Sequence, residues 1–334
     1  MTDTTPRTDP AAERPVLRRY KITHRTTYTY SGPVTSSYGR GYLLPRDTEE
    51  QRCVASVVDI TPPPADRSTG SDVYGNRDLY FQVSTPHEEL VVAAESEIEV
   101  YGPDKARLAA APANAPWELS RPVGTEGAMA QEFVLDLDPP EIGDAVREYA
   151  APSFPPERPL VDAVVDLTTR IHRDFQYKSG STSISTRVAE VLEKRSGVCQ
   201  DFARLAIACL RSRGLAARYV SGYLATQPPP GKERMIGVDA THAWAAVWMP
   251  GDRWLAFDPT NDQLVDERYT VVAWGRDYAD VPPLRGVIYT EARNSTIAVS
   301  VDVAPMEVLA PDQPKCRNSS GLPEEDSMIR VTSR

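Results

Sequence analysis

The sequence predicts an α+β protein in which an all-β, sandwich-like region precedes a core of helices and antiparallel strands. Three observations lead there. Tyr20, Ile22, His24, Thr26, Tyr28 and Tyr30 recur at every second position, the period of a half-buried strand. Three more short runs, 52–60, 78–83 and 89–101, are punctuated by Pro62-Pro63-Pro64, Gly75-Asn76 and Pro86, as in an antiparallel sandwich or barrel. Further on the period becomes helical, with Leu160, Val164, Leu167 and Ile171 on one stripe.

Taken in order, residues 1–15 are polar and Pro-rich and read as a disordered tail. The β region spans 16–101, and Ser31-Gly32-Pro33 is expected to break its first strand. The Ala- and Pro-rich stretch 102–127 reads as a linker. Residues 128–303 form the second unit, a core with a C-terminal extension. Helices are expected over 159–175 and 186–194, the second with Val188, Val191 and Leu192 as its apolar side. A third opens near Ser196 and runs to Arg213, with Gly214 just past its end. Strands follow at 242–249 and 254–258, then more strand and loop to 303. Residues 304–334 are polar again and read as a second loose tail.

Composition narrows the function. A chain of 334 residues has room for about two domains. With 37 basic and 47 acidic residues its net charge is −10, which repels phosphate and argues against a nucleic-acid partner. No apolar run approaches the ~20 residues of a membrane helix. The first fifteen residues hold no apolar stretch of a secretory signal, so no membrane and a cytoplasmic location are expected. Cys53, Cys199, Cys209 and Cys316 lie far apart without a C-x-x-C pair. Reduced thiols are expected, with neither a metal site nor a cofactor.

Two of these cysteines lie on the third helix. Val198, Phe202, Leu205, Ala206, Cys209 and Leu210 form its apolar stripe, so Cys209 reads as a small core residue. Cys199 lies at the margin of that stripe, in the first turn, where free N–H groups and the helix dipole favour a thiolate. On that segment alone a second buried cysteine is the simpler reading. The strands downstream change this. His242, Trp244, Ala246 and Trp248 share one face of the first, and Trp254, Ala256 and Asp258 one face of the second. A three-residue hairpin loop places His242 and Asp258 directly opposite or diagonal on the same face, whereas a four-residue loop would separate them. A helix-start Cys, a strand His and a next-strand Asp are the parts of nucleophilic catalysis.

These residues carry a resemblance. Arg195-Ser196-Gly197-Val198-Cys199-Gln200-Asp201-Phe202-Ala203, the stretch from Ala217 to Leu224, Thr241-His242-Ala243-Trp244 and Phe257-Asp258-Pro259-Thr260-Asn261 resemble the bacterial transglutaminase-like superfamily. Gly275-Arg276-Asp277-Tyr278, Pro283-Leu284-Arg285-Gly286-Val287 and, at the N-terminal end, Asp72-Val73-Tyr74-Gly75-Asn76 look alike in the same way. The resemblance implies a papain-like core, with a Cys helix packed on an antiparallel sheet, and an N-terminal β domain before it. It also implies Cys199 as nucleophile, His242 as base and Asp258 as orienting carboxylate, with chemistry through a thioester. Nothing in it implies a calcium site.

The chemistry expected is acyl transfer on an amide or peptide bond. Water as acceptor makes a peptidase or amidase; an amine makes a protein-glutamine transamidase. A non-catalytic binding module is the alternative of a different class. For the oxyanion, the backbone N–H of Cys199 is the natural first donor, with Gln200 and Tyr177 as candidates for the second. Trp244, Tyr278 and Arg276 are candidates for the substrate cleft. The basic residues Lys194, Arg195, Arg204, Arg211, Arg213 and Arg218 read as a solvated helix face. Alternatively they attract an acidic or glutamate-rich peptide.

Overall fold

The computed structural model describes residues 16–102, 112–125, 127–226 and 241–308. Five strands come first: β1 (Arg18–Leu44), β2 (Gln51–Thr61), β3 (Asp66–Ser71), β4 (Arg77–Val83) and β5 (His87–Val100). Helices α1 (Asp144–Ala150) and α2 (Leu160–Asp174) follow, then the two-residue strand β6 (Gln176–Tyr177), α3 (Val188–Lys194), β7 (Ser196–Gly197) and α4 (Cys199–Arg211). The chain then forms β8 (Ala217–Leu224), β9 (Thr241–Met249), β10 (Arg253–Asp258), β11 (Gln263–Leu264) and β12 (Tyr269–Gly275). It closes with β13 (Arg285–Thr290) and β14 (Ser295–Met306).

The first sheet is organised by β1. Ser31-Gly32-Pro33 does not end this strand, contrary to expectation. The chain stays extended through it, and the ladder slips instead, with register shifts between Thr29 and Val34 against β5. The slip lets the two halves of one strand serve different neighbours. Its first half lies between β5 and β14, and its second half between β4 and β13. The sheet curls around Val34, Leu43, Leu79, Phe81, Val58 and Val92. Gly39 is required here, because a Cβ would stand 2.1 Å from the Phe81 ring.

The second sheet has the order β11-β10-β9-β8-β12, all antiparallel. Helix α4 packs on its β8–β9 part, and α2 lies against β10. Ala243, Ala245 and Val247 of β9 face the same core as Leu205, Ala206 and Cys209 of α4. Small residues on the strand let the helix approach closely. The expected helices appear with trimmed ends.

Three expectations about organisation are corrected. The strands at 285–306 belong to the first sheet and not to the core, since β13 and β14 pair with β1. The unit drawn at 128–303 therefore returns to the N-terminal unit, and the tail drawn from 304 overlaps β14, which runs to Met306. Segment 102–127 is not a bare linker. Ala113 and Trp117 are buried in the main core, the Trp117 indole donates to the Pro155 carbonyl at 2.9 Å, and Pro116 bridges Pro159. The two units also share one core: Tyr20, Ile22, Ile98, Val301 and Val303 join the cluster of α2 and α4. The tails drawn at 1–15 and over 309–334, with Cys316, lie outside the described residues.

This topology makes a specific demand on proteolysis. A protease site inserted between Gly102 and Pro112 should give a nicked protein whose two fragments co-elute on gel filtration. They should separate only in denaturant, because β13 and β14 remain hydrogen-bonded along β1. Fragments that elute separately without denaturant would show that the two sheets are independent bodies.

Candidate active site

The site forms where the start of α4 meets the ends of β9 and β10. The first turn of α4 is tied by Asp201, whose Oδ2 accepts the Val198 N–H at 2.8 Å and the Thr182 hydroxyl at 2.7 Å. This is the backward half of a capping box, and it satisfies a donor left over at the helix start. Gly197 has no room for a side chain, since a Cβ would stand 2.8 Å from Asp201. The parallel bridge of Tyr177 to Gly197 and the Lys178 N–H donating to the Gly197 carbonyl at 2.9 Å hold the approach to the helix. Cys199 thus sits on a backbone fixed from both sides.

His242 and Asp258 meet through the hairpin. Met249 pairs with Arg253 and Trp248 with Trp254, so the loop is the three residues 250–252. Gly251 and Asp252 adopt the left-handed conformations this turn needs, with φ of 84° and 52°. Of the two same-face registers this is the diagonal one. His242 Nε2 and Asp258 Oδ2 are 2.7 Å apart. That leaves Nδ1 on the side away from the carboxylate, and Cys199 acts together with Asp258 to raise the pKa of the ring. Gly222 pairs with His242 across β8, and a Cβ there would meet the Trp244 ring at 2.6 Å and the Thr270 carbonyl at 2.1 Å.

Asp258 is fully buried, and it is not left to a single partner. Its Oδ2 accepts from His242, from the Tyr269 hydroxyl at 2.7 Å and from Asn261 Nδ2 at 2.6 Å. Its Oδ1 accepts the backbone N–H groups of Thr260 at 2.8 Å and Asn261 at 3.3 Å. Gln263 Nε2 in turn donates to the Tyr269 oxygen at 2.6 Å. A carboxylate taken out of water is costly unless its lone pairs are filled, and here they are. Burial acts to raise the Asp258 pKa, but the hydrogen bond and charge of His242 with the Asn261 and Tyr269 donors hold it below the ordinary value. Burial acts to lower the His242 pKa; the Asp258 hydrogen bond and the Cys199 contact outweigh it and raise it to about 10.

Of the other candidates, Tyr177 stays close: its phenol senses burial first and then the Cys199 charge, both raising its pKa. Its ring also packs edge-on against Phe202. Gln200 is partly exposed in the first turn of α4. Trp244 lies beside His242. It is buried, its ring stacked on His242 with centroids 6.0 Å apart. Tyr278 packs edge-on against the buried Tyr219. Arg276 belongs elsewhere. Its carbonyl accepts from Arg211, at the end of α4 remote from Cys199, and its guanidinium reaches Asp280 and Glu132. The solvated face expected of the basic cluster holds for the exposed Lys194 and Arg195 and is corrected for Arg204, Arg211 and Arg218. Arg204 pairs with Glu141 and Asp277, Arg211 is buried against backbone carbonyls, and Arg218 lies between tryptophan rings. Tyr269, Asn261 and Gln263 escaped the sequence reading. Asn261 lay within the quoted Phe257–Asn261 motif, but nothing local marks Tyr269.

Comparisons with known proteins bear on the family and the fold. Residues 20–99 match the family described as bacterial transglutaminase-like N-terminal region, and residues 147–259 match the transglutaminase-like superfamily. An uncharacterized protein of Mycobacterium tuberculosis is 64% identical over 293 residues, 86% of this chain and 93% of its own length. A protein-glutamine gamma-glutamyltransferase of Pseudomonas aeruginosa is 35% identical over 100 residues, 29% of this chain and 15% of its own. The crystal structure described as "a Putative Cysteine Protease from Cytophaga hutchinsonii" superposes with a TM-score of 0.68 at 21% identity. It covers 88% of this chain and 92% of that one, a likeness of fold.

The pKa directions set a pH dependence. The raised His242 value contributes stability that is complete below the ordinary imidazole value of 6.5 and is lost as the pH rises through about 10. The lowered Asp258 value contributes stability present above the ordinary 3.8 and lost as the pH falls through the folded-state value. Ring-proton NMR of His242 should therefore show no titration between pH 5 and 8.5 in the wild type. In Asp258→Asn the titration should move down into that window. An Asp258→Asn protein with an unmoved His242 titration would remove the carboxylate as its cause.

Proposed function

The chain belongs to the transglutaminase-like superfamily, and from that premise we propose that it is a cysteine-nucleophile enzyme that cleaves amide or peptide bonds through a thioester. The observation that carries this reading is a His242 ring bonded to a buried, five-donor carboxylate, with the helix-start Cys199 acting on the same ring.

In this reading the Cys199 thiolate attacks the substrate carbonyl carbon, forming the C–S bond. The charge on the carbonyl oxygen is met by the Cys199 N–H, with Tyr177 or Gln200 at hand as second donor. His242 gives its Nδ1 proton to the leaving nitrogen as the C–N bond breaks. A water molecule then enters, loses a proton to His242 and displaces the thiolate, releasing a carboxylic acid. Asp258 holds the ring and its charge through both steps. Cys209 cannot substitute, because burial pushes its thiol up to about 12.

The partial match to a glutamyltransferase supports a second reading. In it an amine takes the place of water, and the product is a new amide. Incubation of the protein with a peptide library, with and without added primary amine, separates the two by mass. A loss of the leaving amine with a gain of water marks hydrolysis, and an adduct of the amine marks transamidation.

Substitutions test the roles. Cys199→Ala should abolish turnover, and His242→Ala should lower it by orders of magnitude. Asp258→Ala should be milder, because it orients and does not react. The double variant of Cys199 and His242 should cost little more than either alone, since the two act as a unit. Cys209→Ala should lose about 1 kcal/mol of stability as a small core truncation and keep its specific activity. Iodoacetamide should modify Cys199 far faster than Cys209. No turnover together with equal cysteine reactivity would sink the enzymatic reading and leave a non-catalytic binding module.

A further inference from the structure

The donors around Asp258 continue outward. Gln263 of β11 lies opposite Asp258 in the ladder with β10. Its Nε2 donates to the Tyr269 oxygen, and its Oε1 accepts from Arg268 Nη2 at 2.8 Å. Arg268 keeps 30% of its side chain exposed. Arg268, Gln263 and Tyr269 thus form one line of hydrogen bonds from the protein surface to the buried carboxylate.

The line has a direction, and its outer end sets it. A guanidinium only donates, and a carboxylate only accepts. Arg268 therefore claims the oxygen of the Gln263 amide and leaves the NH2 group for Tyr269. The Tyr269 oxygen accepts from that group, and its single proton goes to Asp258 Oδ2. With the amide turned over, a second oxygen would stand at the phenol and compete with Asp258 for this proton. Oδ2 is also the atom bonded to His242. A donor gained or lost there changes how tightly the oxygen holds the ring.

The outer end is itself fixed. Asp266 accepts from Arg268 Nε at 2.9 Å and from its backbone N–H at 2.9 Å, and the Arg268 carbonyl accepts from the Ala225 N–H at 2.9 Å. The first sheet reaches the same turn. The Tyr20 hydroxyl donates to the Glu267 carbonyl at 3.2 Å, and Arg18 lies 3.7 Å from the Glu267 carboxylate.

We propose that Arg268 is a positioning residue for the His242–Asp258 pair: through Gln263 and Tyr269 it commits the phenol proton to Asp258 Oδ2 and so sets the strength of the bond from that oxygen to the ring. Its effect on rate rests on the reaction proposed above, and its effect on the ring does not.

Both effects are measured on the full chain. The ring is read from the NMR resonance of the His242 proton in the bond to Asp258, in protein labelled with 15N-histidine and identified by its absence from His242→Gln. Tyr269→Phe should move this proton downfield, because Oδ2 loses a donor and binds the ring more tightly. Arg268→Met frees the Gln263 amide to turn and should move it the same way by a smaller amount. In a Gln263→Leu background Arg268→Met should add no further shift, since Arg268 acts through that amide; a charge acting through space would add the same shift in both backgrounds. A ring held more tightly gives up its proton less readily, so Tyr269→Phe should lower kcat about tenfold with KM unchanged. Arg268 and Gln263 are partly exposed, and their variants serve should Tyr269→Phe fail to fold. The proposal is overturned by an unmoved ring proton in folded Tyr269→Phe or in Arg268→Met, or by an Arg268→Met shift that persists in the Gln263→Leu background. The expected shifts without any turnover support the placement and count against the proposed reaction; turnover with an unmoved ring proton does the reverse.

Discussion

The buried carboxylate of Asp258 is the constraint on which the site depends. A charge with no solvent contact needs its lone pairs filled, and five donors converge on it. Those donors come from β9, from the turn after β10 and from β12, so one side chain gathers three segments. The cost of burial is offset only while they stay in place. Each donor that is lost leaves a buried acceptor short of a partner, at about 1–3 kcal/mol. The same demand that stabilises the local structure therefore fixes the orientation of the His242 ring.

The rest of the molecule supplies rigid ground for this cluster. The second sheet presents small residues to α4, so the helix can bring its first turn to the sheet end. The first sheet meets the same core through Tyr20, Ile22 and Ile98 on one side of the molecule and Val301 and Val303 from the chain's end. In the middle of α4, Arg204 spans Glu141 and Asp277, tying the segment after β12 to the helix. Buried ion pairs of this kind are weak sources of stability, but they fix geometry. A chain that reads as two units in sequence order is thus a single packed body.

Much of the site was legible because its logic is local. Cys199 lies in the first turn of an amphipathic helix and gains its meaning from His242 and Asp258, which parity along two strands brings to one face. Even so, parity left the choice of loop length open, and the left-handed Gly251 and Asp252 decided it. Local patterns misled where neighbours are remote. Ser31-Gly32-Pro33 looks like a strand end, yet β4 and β13 keep the chain extended beyond it. Arg218 looks like one of a row of solvated cations, yet Trp254 and Trp274 enclose it.

The sequence by itself determined the class of fold, the helix that carries Cys199 and the strand faces of His242 and Asp258. Each of these follows from periodicity and caps within a dozen residues. Tertiary structure alone decided that β14 lies beside β1, that Tyr269 completes the Asp258 shell and that the Trp244 ring stacks on His242. The physical reason is separation along the chain. Arg19 and Met306 are partners in one ladder, and no local preference of either residue encodes a pairing made across nearly the whole protein.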